Sequence, residues 1–451
     1  MNADYLARRE FGLPYLRSAP RHWDVFRLKF VATTNDAALG EDTDPDLEIA
    51  YIDIGNVDGR GQVLEEERMS FGVAPSRARR LPTSGDTLVS TVRTYLKAIA
   101  YLDTEPDGPL RVCSTGFAVL RPGARLFPKY LFYYLRSTGV VDEICARSTG
   151  VSYPAINASE IGNILALVPP FDEQVRISAF LDERTAAIDE LIGAKTRLLE
   201  ALNRKRRAVI GRAVTRGVAQ EPDLLESGIR CLGRVPNHWQ VQRLKFALRR
   251  IEQGWSPQCE NRAPEDDEWG VLKVGCVNGW AFDPTEAKAL PASLEPVAEY
   301  EVREGDVLMS RANTRELVGS AGIVPEVRGR LLLCDKLYRL SPDPVILDAA
   351  FLTLYLRSTV ARDQMEADAT GTSGSMQNIG QDTVKNLMVA LPPIDEQRAI
   401  VHRVRAHLLG AFAAESALGQ QLDVLRRRRH ALITDAVTGR IDVRSSVGVS
   451  Q

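Results

Sequence analysis

Short apolar runs alternate with turn signals over the first part of the chain. "DTLVSTV" follows the Gly85-Asp86 turn and "DVLMSRA" follows Gly305-Asp306, and both predict β-strands. "GFAVLRP" from Gly116 and "KLYRLSP" from Lys336 predict strands that stop at a proline turn. "PKYLFYYLRST" opens with Pro128, suited to the first position of a helix, and "DAAFLTLYLRST" from Asp348 is its apolar counterpart. After Pro169-Pro170 and Pro392-Pro393 the pattern changes to an uninterrupted helical one. Ile177, Leu181, Ile188, Leu191, Leu198, Leu202 and Val209 form a stripe, as do Ile400, Val404, Ala411, Ala414, Leu418, Leu425 and Leu432. That spacing predicts a coiled-coil seam. Asp172 and Asp395 are expected as caps, with Glu173 and Glu396 in the first turn, where the helix dipole favours anions. Gly217 and Gly439 are expected as the left-handed terminators. Each helix would be roughly 60–65 Å long. Gly193, Gly211, Gly410 and Gly419 each weaken it by about 1 kcal/mol, which the seam must outweigh.

These elements occur twice, in the same order. "PRHWDVFRLKF" from Pro20 answers "PNHWQVQRLKF" from Pro236, and "YIDIGNV" from Tyr51 answers "VLKVGCV" from Val271. "GDTLVS" and "GDVLMS", "YLRST" at Tyr134 and Tyr355, "PPFDEQ" and "PPIDEQ", and "AVTRG" at Ala213 and "AVTGR" at Ala436 follow collinearly. The unit is about 220 residues, too long for a solenoid repeat. The flanks match well, whereas the interiors Val57–Leu81 and Asn278–Glu301 match badly. One scaffold presenting two different recognition surfaces gives that contrast. The expected division is a first mixed domain over 1–168, a central helix over 169–217, a linker and second domain over 218–391, a C-terminal helix over 392–441 and a disordered tail over 442–451. The fold class is α+β. The second helix must run back along the first, so the pair is antiparallel and the expected arrangement is pseudo-two-fold, like an isologous dimer made from one chain. Duplex DNA is a ligand of matching form, with half-sites one helical turn, about 34 Å, apart.

Composition narrows this further. At 451 residues, with 44% hydrophobic and 26% charged, the chain is long enough for substantial cores. No apolar stretch approaches the roughly 18 residues of a membrane span, and "MNADYLARREFG" has no apolar signal core, so a cytoplasmic protein without membrane contact is expected. The six cysteines form no CxxC pair and are read as reduced, mostly packed thiols. A net charge of −2 does not suit a generic nucleic-acid coat. It leaves room for a local basic cleft and suggests that another subunit supplies part of any phosphate affinity. There is no GxxxxGK[ST], GxSxG or HExxH string, nor the Asn/Asp-Pro-Pro-Tyr of amino-methyltransferases, so no catalytic role is expected.

At this point the chain resembles a known family. "SGIRCLGRVPNHWQVQRLKF", Ser227 to Phe246, looks like the opening of each half of type I restriction–modification specificity subunits. "LPPIDEQRAIV" and "ALITDAVTGRIDV" look like the ends of that family's spacer helices. "GDTLVSTVRTYLKAIAY" and "GDVLMSRANTRELVGSAG" resemble its target-recognition signatures, and the likeness covers nearly the whole chain. The resemblance implies double-stranded DNA as ligand, with an asymmetric bipartite site and an unread gap. It also implies two adenine methyltransferase (modification) subunits as partners, and restriction/translocase subunits. No cofactor is expected on this chain; S-adenosylmethionine, ATP and Mg belong to those partners. A methylation-only system and a protein-binding coiled-coil scaffold remain open alternatives.

The DNA-contact candidates come from side-chain chemistry. In the first reader they are Arg77, Arg79 and Arg80 before the Gly85 turn, and Arg93, Tyr95 and Lys97 after the strand. In the second they are Arg311, Asn313, Thr314 and Arg315. Arginine pairs bidentately with guanine and with phosphate, and asparagine with adenine. The loops Ser148–Ser152 and Thr370–Ser375 are small and polar, either close to DNA or ordinary turns. The basic runs Arg204–Arg207 and Arg426–Arg429 face water in the simplest reading, or else phosphate or an acidic partner. His22-Trp23 and His238-Trp239 are read as structural.

Overall fold

The computed structural model describes residues 7–13, 15–104, 108–150, 153–219, 222–327, 329–368 and 377–443. Two compact units divide the chain: Met1–Thr196 with Gly419–Gln451, and Arg197–Leu418. Each therefore takes a part of both long helices.

The first unit opens with a ribbon of Arg8–Glu10 against Ser18–Pro20. A four-stranded antiparallel sheet follows in the order Ala32–Thr34, Phe117–Pro122, Thr87–Ser90, Ile99–Tyr101. The runs after Gly85 and Gly116 are thus neighbouring strands, as their patterning predicts. A second sheet has the order Glu67–Ser70, Glu48–Ile52, Leu110–Ser114, Ala78–Arg80, with its central pair parallel. Pro128–Leu135 is a helix with proline in its first turn, and it buries Tyr130, Leu131, Tyr134 and Leu135. Leu165–Val168 pairs with Asp24–Arg27 and leads into the first long helix.

The second unit repeats these elements. Leu224–Glu226 pairs with Arg234–Pro236, and the antiparallel sheet runs Leu248–Gln253, Leu337–Pro342, Val307–Ser310, Ala321–Ile323. Ala287–Ala289, Gly270–Leu272 and Leu331–Leu332 form the other sheet, again with a parallel pair. The sheets that differ, four strands against three, are those containing the poorly matching interiors. Among the described residues no helix is long and apolar enough to cross a membrane.

The long helices are Phe171–Arg216 and Ile394–Val437, of 46 and 44 residues, or about 69 and 66 Å at 1.5 Å per residue. Asp172 and Asp395 lie inside the first turn rather than at the cap, because both helices begin right after the Pro pair. Gly217 and Gly439 end them at φ of 69° and 65°, as the sequence predicts. The seam differs in detail. Leu191 and Leu198 are about half exposed, at 52% and 51%, and Ala414 is exposed. The helix keeps its 3.6-residue period, so Thr185, Ile192, Lys195, Leu199 and Arg206 come round to the buried side in the first helix, and Glu415 and Arg429 in the second.

Polar seam residues find partners, and these fix the direction of pairing. In the first unit Arg429 Nε lies 2.9 Å from Asp189 Oδ1 and Lys195 Nζ donates to Gln421 Oε1 at 2.6 Å. In the second Arg206 pairs with Glu415. Residue numbers rise along one helix as they fall along the other, so within each unit the segments are antiparallel. The basic runs are accordingly split: Arg206 and Arg429 turn into the seam, and the others face water. Asp442 and Val443 are buried, so packing continues past the expected start of the tail, whose remainder lies outside the described residues.

Each unit also clamps the start of one long helix to the end of the other. Glu173 accepts from Trp23 Nε1 at 3.2 Å and sits 3.1 Å from His22 Nε2, beside Gly439. Glu396 meets Trp239 at 3.2 Å and His238 at 2.9 Å, beside Gly217. Gln174 and Gln397 complete the pattern by bonding the carbonyls of Pro169 and Pro392, each at 2.9 Å. The repeated His-Trp and Asp-Glu-Gln strings are thus two halves of one joint. Dipole reasoning alone did not show that the glutamate serves the tryptophan.

Candidate nucleic-acid interface

In the first unit the strand Thr87–Ser90 runs out into a tight turn over Thr94–Leu96. Arg93 and Lys97 bracket it with left-handed backbones, at φ of 50° and 55°. Each such non-glycine residue costs about 1–2 kcal/mol, and the surroundings hold it. The buried Thr94 hydroxyl bonds Ser148 Oγ at 2.8 Å, and Cys145 Sγ reaches Thr94 O at 3.5 Å. The result is a rigid base with Arg93, Tyr95 and Lys97 exposed on top. Arg93 stacks 4.9 Å over Tyr153, and Tyr95 is 53% exposed. These three candidates stand together.

Arg77, Arg79 and Arg80 do not form a single patch. Arg77 bonds Tyr51 Oη at 3.1 Å and Asp53 Oδ2 at 2.6 Å, and those contacts, Tyr51 first, raise its pKa. Arg79 lies 4.7 Å over Phe71. Arg80 is half-buried with an unpartnered Nε.

The second reader is also divided. Arg311 is half-buried, and its main chain bonds Lys336 and Ile379. Asn313, a DNA-contact candidate from its chemistry, is only 7% exposed in the short strand Ala312–Asn313. Its Nδ2 donates to Asn278 Oδ1 at 2.8 Å and its Oδ1 accepts from Thr314 N at 2.9 Å. The side chain thus holds the loop from inside. Thr314 and Arg315 are exposed, and Arg315 lies 3.9 Å from Glu366. The loop Thr370–Ser375 and the end of the Ser148–Ser152 loop lie outside the described residues.

One pair of residues was not singled out from the sequence. The arginine of each "YLRST" reaches back to the poorly matching segment. Arg136 Nη2 donates to Gly59 O at 2.6 Å and Nη1 to Arg60 O, while Arg357 Nη2 donates to Gly279 O at 2.9 Å and Nε to Ala321 O. Burial lowers both guanidinium pKa values to about 10, helped by Arg429 in one unit and Arg206 in the other. A buried cation that ties down a reader backbone in both units is a positioning device. Its signal was a charged residue retained inside an otherwise apolar repeat.

Residues 271–423 match the family model described as the type I restriction modification DNA specificity domain. The type I restriction enzyme EcoEI specificity subunit of Escherichia coli is 32% identical over 171 residues. The EcoKI specificity subunit of Escherichia coli (strain K12) is 26% identical over 339 residues, 73% of this chain and 69% of that protein.

Over residues 271–423 the chain is similar to the type I specificity subunits.

The EcoEI match takes in 38% of this chain and only 29% of the relative, so the likeness to that protein is regional. A solved structure concerned with complex assembly and conformational transition of a type I R-M system covers 94% of the chain and 99% of its own length. It has a TM-score of 0.62 at 24% identity and supports the mixed α+β fold with long helices.

Proposed function

We propose that this chain is a specificity subunit that reads an asymmetric bipartite DNA sequence, one half with each unit, and directs partner subunits to it without catalysing a reaction itself. The supporting observation is the contrast within the duplication. The joint, the antiparallel sheet and the spacer helices recur in both units, whereas the reader segments held by Arg136 and Arg357 differ. A scaffold for protein partners alone has no reason to diversify those segments. In the proposed arrangement the units are related by a pseudo-two-fold axis, and the spacer helices set the unread gap between half-sites. The partners are two adenine methyltransferase subunits and a translocating restriction subunit, which carry S-adenosylmethionine, ATP and Mg. Arg93, Tyr95 and Lys97 contact DNA in one half, and Arg311, Thr314 and Arg315 in the other.

The test is to express the chain with its methyltransferase subunits in a host free of N6-methyladenine and to sequence the marks. A single split motif is expected. In an Arg93→Ala, Tyr95→Ala variant one half of the motif should relax, with about 1–3 kcal/mol lost per base contact. Methylation at scattered, unrelated sequences would sink the reading. The isolated chain, with its net charge of −2, should bind DNA weakly at physiological salt.

A further inference from the structure

Within the first unit an open cleft of about 490 Å³ lies where the Thr94–Leu96 turn, the helix Thr138–Arg147 and the second long helix meet. Its wall carries Lys97, Arg136, Arg427 and His430 beside apolar Leu96 and Ile99, with no carboxylate among the lining residues. Such a gathering is unfavourable in an empty protein. Burial lowers the His430 pKa, and repulsion from Arg136, Arg429 and Lys97 adds to it. Arg136 spends two donors on the carbonyls of Gly59 and Arg60. Lys97, Arg427 and His430 make no side-chain hydrogen bond or ion pair among the described residues.

The second unit differs around the corresponding arginine of its own YLRST segment. There Arg357 stacks 4.6 Å over Trp280, whose ring lies 4.6 Å from Phe412, and the neighbouring cleft is lined mainly by Trp280, Phe282, Pro325 and Leu354. On the spacer helices, Arg204 and Arg207 stand at the repeat positions of Arg427 and His430.

We infer that this cleft seats a phosphodiester of the DNA backbone, taken by Lys97, Arg427 and His430, beside the half-site read by the first unit. The inference rests on the proposed function. Nucleic acid is favoured over an acidic peptide because Lys97 belongs to the same turn as Arg93 and Tyr95. A strand touching those side chains passes the mouth of the cleft. Leu96 and Ile99 supply the apolar wall against which a sugar packs. His430 contributes most when protonated, and a bound phosphate favours that form against Arg136, Arg429, Lys97 and Arg427.

The experiment measures DNA affinity of the complex with methyltransferase subunits against salt concentration. The probes are a duplex carrying the methylated motif and one lacking it. Arg427→Ala and Lys97→Asn, which keeps a residue tolerant of the left-handed backbone, should each reduce the log–log salt slope by about 0.9 on both duplexes. In Arg427→Ala the methylated motif should stay the same. His430→Gln should do so near pH 6 and have little effect near pH 8. Unchanged slopes in all three variants overturn the seat. Weaker assembly with the methyltransferase subunits at an unchanged slope also overturns it, and assigns the cleft to an acidic partner segment. If the unaltered complex does not distinguish the two duplexes, the proposed function fails instead, while the slopes still read the cleft.

Discussion

At Gly439 the backbone turns left-handed, and an added Cβ would stand 2.5 Å from the Pro20 ring and 3.1 Å from Trp23. Gly439→Ala should therefore cost more than the 1–2 kcal/mol of the backbone conformation alone, read as a lower denaturant midpoint. Gly410 is the contrast: it lies inside the second helix with nothing within 4 Å of an added Cβ. Gly410→Ala should stabilise by up to about 1 kcal/mol. Equal effects at the two positions would show that the joint is not close-packed. His430 makes a pH prediction. Burial and the neighbouring cations lower its folded pKa below the ordinary histidine value of 6.5, so the unfolded chain binds the proton more readily. Its contribution to stability is complete above about pH 6.5 and shrinks as pH falls through that value. In His430→Gln the acid-side loss should be smaller; an identical pH profile would remove the histidine from the cationic wall.

Between the long helices, the interaction with most at stake is Arg429 with Asp189, whose side chains are only 9% and 15% exposed. Arg429→Ala leaves a buried carboxylate unpaired and should cost about 3 kcal/mol. Replacing both partners together, Arg429→Met with Asp189→Leu, should restore most of that loss, because well-packed apolar residues substitute for buried pairs at little cost. Failure of the double variant to recover would mean that Arg429 acts elsewhere, for instance on Arg136. This pair also marks how far the sequence could be read. Both helices, their glycine terminators and the two copies of the sheet were legible, because each follows from local patterning and from repetition. The exact seam was not. A strict heptad puts Leu191 and Leu198 inside, whereas straight helices bring Ile192 and Leu199 round and admit charged residues with partners on the opposite helix. The reader residues were legible only by type. Arg93, Tyr95 and Lys97 stand together because Thr94 anchors their turn, but the burial of Asn313 depends on Asn278, a contact between distant segments that no local pattern reveals.

At the scale of the whole chain, each unit contains antiparallel segments of both long helices, and the repeat makes those helices interchangeable to a useful degree. A fragment ending near Gln220 keeps the first helix and loses the second. Its seam, including Ile177, Leu181 and Ile210, would face water, and a continuous apolar stripe of that length seeks a partner. The best substitute is the same helix from a second fragment. Arg206 occupies the repeat position of Arg429, so in an antiparallel pair Asp189 of each copy would face Arg206 of the other. Arg206 needs that partner, because Ile192 stands at the repeat position of Glu415. The joint is re-formed as well, since Gly217, one residue beyond the repeat position of Gly439, ends the helix in the same left-handed conformation. The fragment should therefore be a true two-fold dimer. Supplied with methyltransferase subunits, it should mark an interrupted palindrome built from the first half-site. The gap should stay close to that of the full chain, because the two helices differ by only two residues, 46 against 44. Mass in solution and sequencing of the methylated DNA check both statements. A soluble monomer, or a dimer that marks an asymmetric site, would show that the spacer helices do not substitute for one another.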